Sequence, residues 1–215
     1  MSKLKALATL VGKPKRLAAL LSYGHKGYLS TIGWFTAFDT HQAVDASGNP
    51  LPWVTYSFID FIKTRLSKEL SIFEYGSGNS TLFYASRVKN VVSVEHDEAW
   101  FNKIVKAKAA NAEMIFTHLE KGGEYSKKAT LLGEKFDVII VDGRDRVNCC
   151  KNSVDALSSH GVLVLDDSER EIYQEARTFL TEKGFKELPF TGISPGLFYN
   201  KATSIFYKAD NCLGI

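Results

Sequence analysis

The sequence has little of what marks a membrane, secreted or fibrous protein. No apolar run approaches the roughly 18 residues that span a bilayer. The longest runs, residues 17–21 and 138–141, are far shorter. Five prolines and sixteen glycines are too few for a fibrous or linker-dominated chain. The 215 residues, of which 45% are hydrophobic, therefore predict one globular domain with or without an appendage.

Cysteine is also scarce. Three cysteines cannot build a disulfide framework, and Cys149 and Cys150 are neighbours inside a helical pattern. No Cys/His cluster has the spacing of a structural zinc site. We therefore expect three free thiols and a reducing, cytoplasmic location.

Acidic residues are missing from the N-terminal part of the chain, where the first one is Asp39. A secretory signal is not expected, because Pro14 and two bases interrupt the leucine-containing stretch and no small-residue cleavage site follows. We expect residues 1–51 to form a basic helical extension that could cap an acceptor site. The extension is either solvated or in weak peripheral contact with anionic lipid or another acidic partner. Its bases are Lys3, Lys5, Lys13, Lys15, Arg16 and Lys26.

From residue 71 onward, short β-rich runs alternate with helical patterns, which predicts βαβ units and a parallel sheet. The expected strands are residues 71–75, 91–95, 113–117, 136–142 and 161–166. Two further runs, 186–190 and 203–208, have no helix between them and predict an antiparallel hairpin. Among the helices, Pro52 is expected in a first turn, Asp97 as an N-cap, and Ser168 with Glu171 as a capping box for a helix that ends at Gly184.

The first strand runs into a glycine-containing turn, Glu74-x-Gly76-x-Gly78-x-Ser80. Glycines at this place let the backbone approach a ligand, but a dinucleotide fingerprint would need glycine where Thr81 stands. An acid before the glycines repels a diphosphate and suits an ammonium group. Glu95, at the end of the second strand, is placed to accept hydrogen bonds from ribose hydroxyls. These features indicate a nucleoside without phosphates and with a zwitterionic tail, which is the chemistry of S-adenosylmethionine (SAM).

The motifs EYGSGNS, VVSVEHD, FDVIIVDG and GVLVLDD, followed by the hairpin, resemble those of class I SAM-dependent methyltransferases over about residues 52–208. The resemblance implies an α/β, Rossmann-like, doubly wound seven-stranded sheet of order 3-2-1-4-5-7-6 in a domain covering residues 52–215. It carries over four cofactor contacts, Glu74, Gly76, Gly78 and Glu95. Tyr75, Ser77, Ser80, His96 and Asp142 are expected to flank the same ligand. The adenine contact after the third strand stays open among residues 117–120.

Three carboxylates, Asp142, Asp166 and Asp167, follow the fourth and fifth strands and should meet at one rim. They could hold Mg²⁺ or Ca²⁺, a placement similar to that in metal-dependent O-methyltransferases of the catechol type. Alternatively, Arg144 and Arg146 neutralise them, or bind an acidic acceptor. Asp142 is the first candidate for a catalytic base, before Asp166 and His96.

The sequence therefore predicts a SAM-dependent methyltransferase acting on oxygen of a small-molecule or glycan-like acceptor. A nucleic-acid substrate is not expected, because the core lacks a basic stripe with interleaved aromatics. Trp34, Phe35, Trp53 and Tyr56 either border the acceptor site or pack as core. The alternatives are a nicotinamide-dependent oxidoreductase and a non-catalytic SAM-binding module.

Overall fold

The computed structural model describes residues 11–215, so Lys3 and Lys5 of the basic extension lie outside the described residues. The N-terminal part is helical, and from Ser71 onward strands and helices alternate. The elements are α1 (Pro14–Ser22), α2 (Tyr28–Thr31), α3 (Trp34–Thr40), α4 (Tyr56–Ile62), β1 (Ser71–Tyr75), α5 (Asn79–Ala85), β2 (Asn90–Glu95), α6 (Glu98–Ile104), β3 (Ala112–Phe116), α7 (Glu124–Leu131), β4 (Phe136–Val141), α8 (Arg146–Ser153), β5 (Leu157–Asp166), α9 (Gln174–Glu182), β6 (Lys186–Gly192) and β7 (Lys201–Tyr207).

The strands form one seven-stranded sheet of order β3-β2-β1-β4-β5-β7-β6, which confirms the predicted topology. β1 to β5 run parallel to one another in this sheet. β7 runs antiparallel to both β5 and β6. The C-terminal hairpin therefore closes an otherwise parallel sheet.

Helices cover both faces of the sheet, and β4 shows the reason. Its alternate residues point to opposite faces, with Ile139 and Val141 packing in one apolar cluster. Val138 and Ile140 pack in the other. Since all four side chains are at most 1% exposed, the strand needs apolar residues in succession, as strands buried on both faces do.

Two expected helix starts are wrong. α4 begins at Tyr56 rather than near Pro52, because Thr55 is held by the hairpin: its hydroxyl donates to the Phe190 carbonyl at 3.1 Å and its N–H to the Thr203 hydroxyl at 3.2 Å. Ser168 does not cap α9, which begins six residues later at Gln174. Its hydroxyl is instead 2.7 Å from that of Ser204 on β7.

Other local expectations are confirmed. Asp97 caps α6 by accepting the Trp100 N–H at 2.9 Å. Gly184 follows α9 with a φ of +83°, the left-handed conformation that ends helices. Cys149 and Cys150 are buried in α8 and, like Cys212, are free thiols. Between residues 11 and 215, no helix is long and apolar enough to cross a bilayer.

The N-terminal helices reach the domain through α3. The Trp34 indole donates to the Leu197 carbonyl at 2.8 Å. The backbone of Gly196 lies against Ala37 so closely that an added Cβ would be 3.0 Å from it. This packing brings the residues that follow α3 to the edge of the sheet where the strands end.

Candidate functional site

A pocket of about 850 Å³ lies at the carboxyl ends of β1, β2 and β4. This is the edge where doubly wound folds bind ligands. The structure brings all nine residues that the sequence suggested as cofactor contacts to its lining: Glu74, Tyr75, Gly76, Ser77, Gly78, Ser80, Glu95, His96 and Asp142. Residues 117–120, the candidates for an adenine contact, are not part of the lining.

The Tyr75 side chain is the exception among these residues, because its ring points away from the pocket. The ring is fully buried and packs on Phe73. The hydroxyl donates to the Ser126 carbonyl at 2.9 Å and accepts from the Ser153 hydroxyl at 3.0 Å. Tyr75 therefore offers its main chain to the pocket, while its side chain packs in the core.

Glu74 holds the glycine turn through Thr81. The Gly78 N–H donates to the Thr81 hydroxyl at 3.1 Å, and that hydroxyl donates to Glu74 Oε2 at 2.6 Å. The Ser93 hydroxyl reaches the same oxygen at 3.2 Å. Thr81 appeared in the sequence only as a departure from a dinucleotide fingerprint. In the structure it links the buried acid to the turn.

Glu74 is only 1% exposed. Burial raises its pKa from 4.5 to about 7, although hydrogen bonds from Ser80, Thr81 and Ser93 oppose the rise. The Glu95 carboxylate adds a smaller increase. A buried acid at the edge of a pocket is stabilised in its charged form by a cation, so Glu74 favours a ligand that brings a positive group.

The turn also needs Gly76 and Gly143 because two backbone segments meet there. Gly76 has a φ of +96°, and an added Cβ would lie 3.3 Å from Gly143 Cα. A Cβ on Gly143 would lie 2.1 Å from the Tyr125 hydroxyl. The β1 and β4 turns are therefore packed without side chains between them, which leaves backbone exposed to the pocket.

The Glu95 carboxylate is buried and is held by hydrogen bonds from the residues that precede α6 and from Ser77. Oε1 accepts the N–H groups of His96 and Asp97 at 2.8 and 3.0 Å, and Oε2 accepts the Ser77 hydroxyl at 2.8 Å. His96 Nδ1 also lies 2.9 Å from Oε1, so the acceptor position that remains for a ligand is on Oε2. Ser77 can release a second one by rotating its hydroxyl. Glu95 is thus oriented to receive two hydroxyls, as a ribose presents.

Trp100 and Ile104, both on α6, form an apolar wall beside Glu95. The Trp100 indole donates to the Ser77 carbonyl at 2.9 Å, and its ring lies against the backbone of Gly78. The sequence did not single out Trp100 as a site residue, and its side chain is 38% exposed. An aromatic residue in the helix directly after Glu95 was the available signal.

Asp142 lies on the opposite side of the glycine turn and is paired with Arg146. Arg146 Nη2 donates to Asp142 Oδ1 at 3.0 Å. Burial raises the pKa of Asp142 well above its usual value, and the neighbouring Asp166 carboxylate adds to the rise. Arg146 and Lys201 oppose it. Asp142 is therefore a stronger base than an exposed carboxylate and has access to the pocket.

Asp166 and Asp167 do not reach the pocket lining. Asp166 is 1% exposed and accepts Lys201 Nζ at 2.6 Å and the Thr203 hydroxyl at 2.7 Å. Contact with an acceptor is therefore not available to it, which corrects its candidacy as a catalytic residue. Lys201 Nζ is also 2.8 Å from Asp167.

The three carboxylates do not fit a metal site, because two cations already lie among them. Arg146 Nη1 is 3.6 Å from Asp166 and 3.3 Å from Asp167, and Lys201 contacts both acids. In the described part of the chain, no group of three potential ligands is arranged to hold a metal. Burial raises the pKa of Asp167, but Lys201 outweighs this effect and, with Arg146, holds the pKa below its usual value. Lys201, which the sequence did not single out, is central to this network.

The N-terminal segment supplies the remaining wall through residues 40–43. Asn79, at the start of α5, donates to the Ala43 carbonyl at 2.8 Å and fixes this segment to the glycine turn. Trp53 also lines the pocket, and its indole donates to the Pro195 carbonyl at 2.8 Å. Arg144 is exposed at the lining, whereas Arg146 is fully engaged with carboxylates and carbonyls.

No family model matches the sequence, and no curated protein matches it. Solved structures do match the fold. Precorrin-6y C5,15-methyltransferase from Geobacter metallireducens superposes with a TM-score of 0.54 at 15% identity, over 71% of this chain and 87% of that one. A methyltransferase-like protein from Silicibacter pomeroyi gives 0.53 at 21% identity, over 74% and 89%.

A third match extends into the N-terminal helices. A Staphylococcus aureus protein, provisionally named a caffeoyl-CoA O-methyltransferase, gives a TM-score of 0.52 at 15% identity over 91% of this chain and 99% of that one. At these low sequence identities, the matches are evidence for the fold only. With the sheet order and the hairpin, they show that the chain has the Rossmann-like fold of class I SAM-dependent methyltransferases.

Proposed function

We propose that the protein is a SAM-dependent methyltransferase that methylates a hydroxyl oxygen of a small-molecule or glycan-like acceptor. One observation carries the proposal. Two buried acids, Glu74 and Glu95, flank the turn of Gly76 within one pocket at the ends of β1 and β2. They suit the ammonium group and the ribose of SAM, and Trp100 offers a flat apolar surface for the adenine.

Glu74 disfavours a nicotinamide dinucleotide, whereas Glu95 would suit the ribose of either ligand. The diphosphate of a dinucleotide would lie at the glycine turn, where the buried Glu74 is part of the lining. Thr81 stands where the dinucleotide fingerprint has a third glycine, and its side chain is engaged with Glu74. The pocket therefore supports a ligand without phosphates over one with two.

Bound SAM supplies a methyl group on a sulfonium, which is already a good leaving group. The protein then needs to align the acceptor and remove its proton. Asp142 reaches the pocket and its raised pKa makes it the candidate proton acceptor. Residues 40–43 and Trp53 face the same space and would hold the acceptor, with Arg144 available to an anionic group on it.

Calorimetry with SAM and with NAD tests the cofactor. We expect SAM to bind with one site and NAD to give no heat. Glu95→Gln should weaken SAM binding at least tenfold, because the neutral amide replaces the acceptor of the ribose hydroxyls. Glu98→Gln, an exposed acid three residues away, is the matched control and should bind as the wild type does. NAD binding in the place of SAM would overturn the proposal.

Release of S-adenosylhomocysteine with a panel of hydroxylated, carboxylated and sugar acceptors tests the reaction. Asp142→Asn should retain SAM binding and lose turnover, because it removes the proton acceptor but keeps the shape of the side chain. An Asp142→Asn variant with full turnover would remove this role. SAM binding without turnover on any acceptor would favour the non-catalytic SAM-binding module.

A further inference from the structure

The helix α1 and its surroundings carry charge of one sign only. Lys13, Lys15, Arg16 and Lys26 lie in or beside it, and no acid occurs in the sequence before Asp39. Asp60 on α4 acts on Tyr28, but it is itself paired with Lys63 at 2.5 Å. This part of the surface is therefore positive without internal compensation.

The same helix exposes aliphatic side chains. No residue of α1 is buried, and Leu20 and Leu21 are 43% and 69% exposed. Leu17 lies three and four residues before them, so the three leucines share one side of the helix. Tyr23 and Tyr28 are also exposed just after it. None of residues 11–39 lines the pocket, so this surface has no part in the site described above.

We propose that α1 and its flanking residues form a docking surface for anionic lipid, with the leucines entering the interface and the bases contacting the headgroups. Amphipathic helices with bases on the polar side and leucines on the other lie in the membrane interface in this way. The charge complementarity calls for an acidic partner. The leucine stripe favours a membrane over a nucleic acid or an acidic protein surface, since neither needs two exposed leucines and a half-buried third on one side of a helix.

Vesicle flotation of the full chain tests the proposal, with phosphatidylcholine vesicles that contain or lack phosphatidylglycerol. The wild type should float only with phosphatidylglycerol, and salt should reverse binding. Lys13→Gln, Arg16→Gln and Lys26→Gln together should weaken binding roughly a hundredfold, since each charge near an anionic surface contributes about fivefold. A control triple of exposed lysines elsewhere, Lys106→Gln, Lys127→Gln and Lys186→Gln, makes the same change in net charge and should bind as the wild type does.

The apolar part needs its own variant. Leu20→Ser with Leu21→Ser should weaken vesicle binding at least tenfold without changing urea unfolding, because both side chains are exposed. Leu131→Ser with Ile172→Ser removes two aliphatic side chains that are 61% and 70% exposed and should leave binding unchanged.

Several outcomes would overturn the proposal. These are a wild type that ignores phosphatidylglycerol, equal losses in the two lysine sets, and leucine variants that bind normally. An RNA oligonucleotide bound in place of vesicles would assign the surface to another class of partner. All of these readouts are independent of SAM, so the proposed methyl transfer can fail without affecting them.

Discussion

Glu74→Gln isolates the energetic consequence of burying an acid at the glycine turn. The pKa of Glu74 rises from 4.5 to about 7 because the side chain is buried. Between these two values the unfolded chain loses the proton while the folded chain keeps it. Stability therefore falls as pH rises from about 4.5 to 7 and levels off above. The rise in pKa corresponds to about 3 kcal/mol.

Glutamine keeps the size of the side chain and an oxygen that can accept from Thr81, but it does not ionise. We expect the wild type and Glu74→Gln to have similar free energies of unfolding near pH 5. Near pH 8 the variant should be more stable by up to about 3 kcal/mol. Urea unfolding across this range measures the difference, and exposed Glu98→Gln serves as the control with no such trend. A difference that does not change with pH, or that favours the wild type at pH 8, would refute the reasoning.

The same acid links pH to the proposed cofactor. A bound ammonium group stabilises the ionised carboxylate of Glu74, so SAM binding should release a proton below about pH 7 and tighten as pH rises towards that value. In Glu74→Gln this pH dependence should disappear. Calorimetry in buffers of different ionisation enthalpy measures the released proton, and an unchanged pH dependence in the variant would contradict the assignment.

Three other expectations concern single side chains. Lys201→Met should lower the free energy of unfolding by about 3–5 kcal/mol, because it leaves two buried carboxylates short of a partner. The exposed control Lys186→Met should change this free energy by no more than about 0.5 kcal/mol. Similar losses in the two variants would argue against the network. Gly143→Ala should destabilise by about 1–3 kcal/mol, since the added Cβ would lie 2.1 Å from the Tyr125 hydroxyl. Unchanged unfolding would show that the Tyr125 hydroxyl does not occupy this space. Trp100→Ala should weaken SAM binding roughly tenfold, which is the effect of losing one base-stacking contact, and should leave the free energy of unfolding unchanged. An unaltered affinity in calorimetry would show that the adenine does not bind against Trp100.

The sheet could be predicted from the sequence because its signal is local. Residues 138–141 are apolar in succession and all four prove buried on both faces of the sheet. The hairpin followed from the lack of a helix between two strand-like runs. The glycine turn and Glu95 were also visible, since a ligand site at the ends of parallel strands is built from residues directly after them.

The wrong helix starts and the omission of Lys201 have one physical origin, which is partners distant in sequence. Ser168 has the spacing of a helix cap, yet its hydroxyl is hydrogen-bonded to that of Ser204 on β7. Lys201 lies 35 residues after Asp166 in the sequence and contacts it at 2.6 Å. The residues around Lys201 in the sequence do not indicate that its side chain is buried. Of the two cations among Asp142, Asp166 and Asp167, Arg146 was visible in the sequence beside Asp142, whereas Lys201 comes from β7.

The most direct test is a crystal structure with S-adenosylhomocysteine soaked into the pocket. We expect both ribose hydroxyls within hydrogen-bond distance of the Glu95 carboxylate, the adenine against Trp100, and the amino group on the side of Glu74. Density that leaves this pocket empty at saturating ligand, or that places the nucleoside away from Glu95, would contradict the central claim.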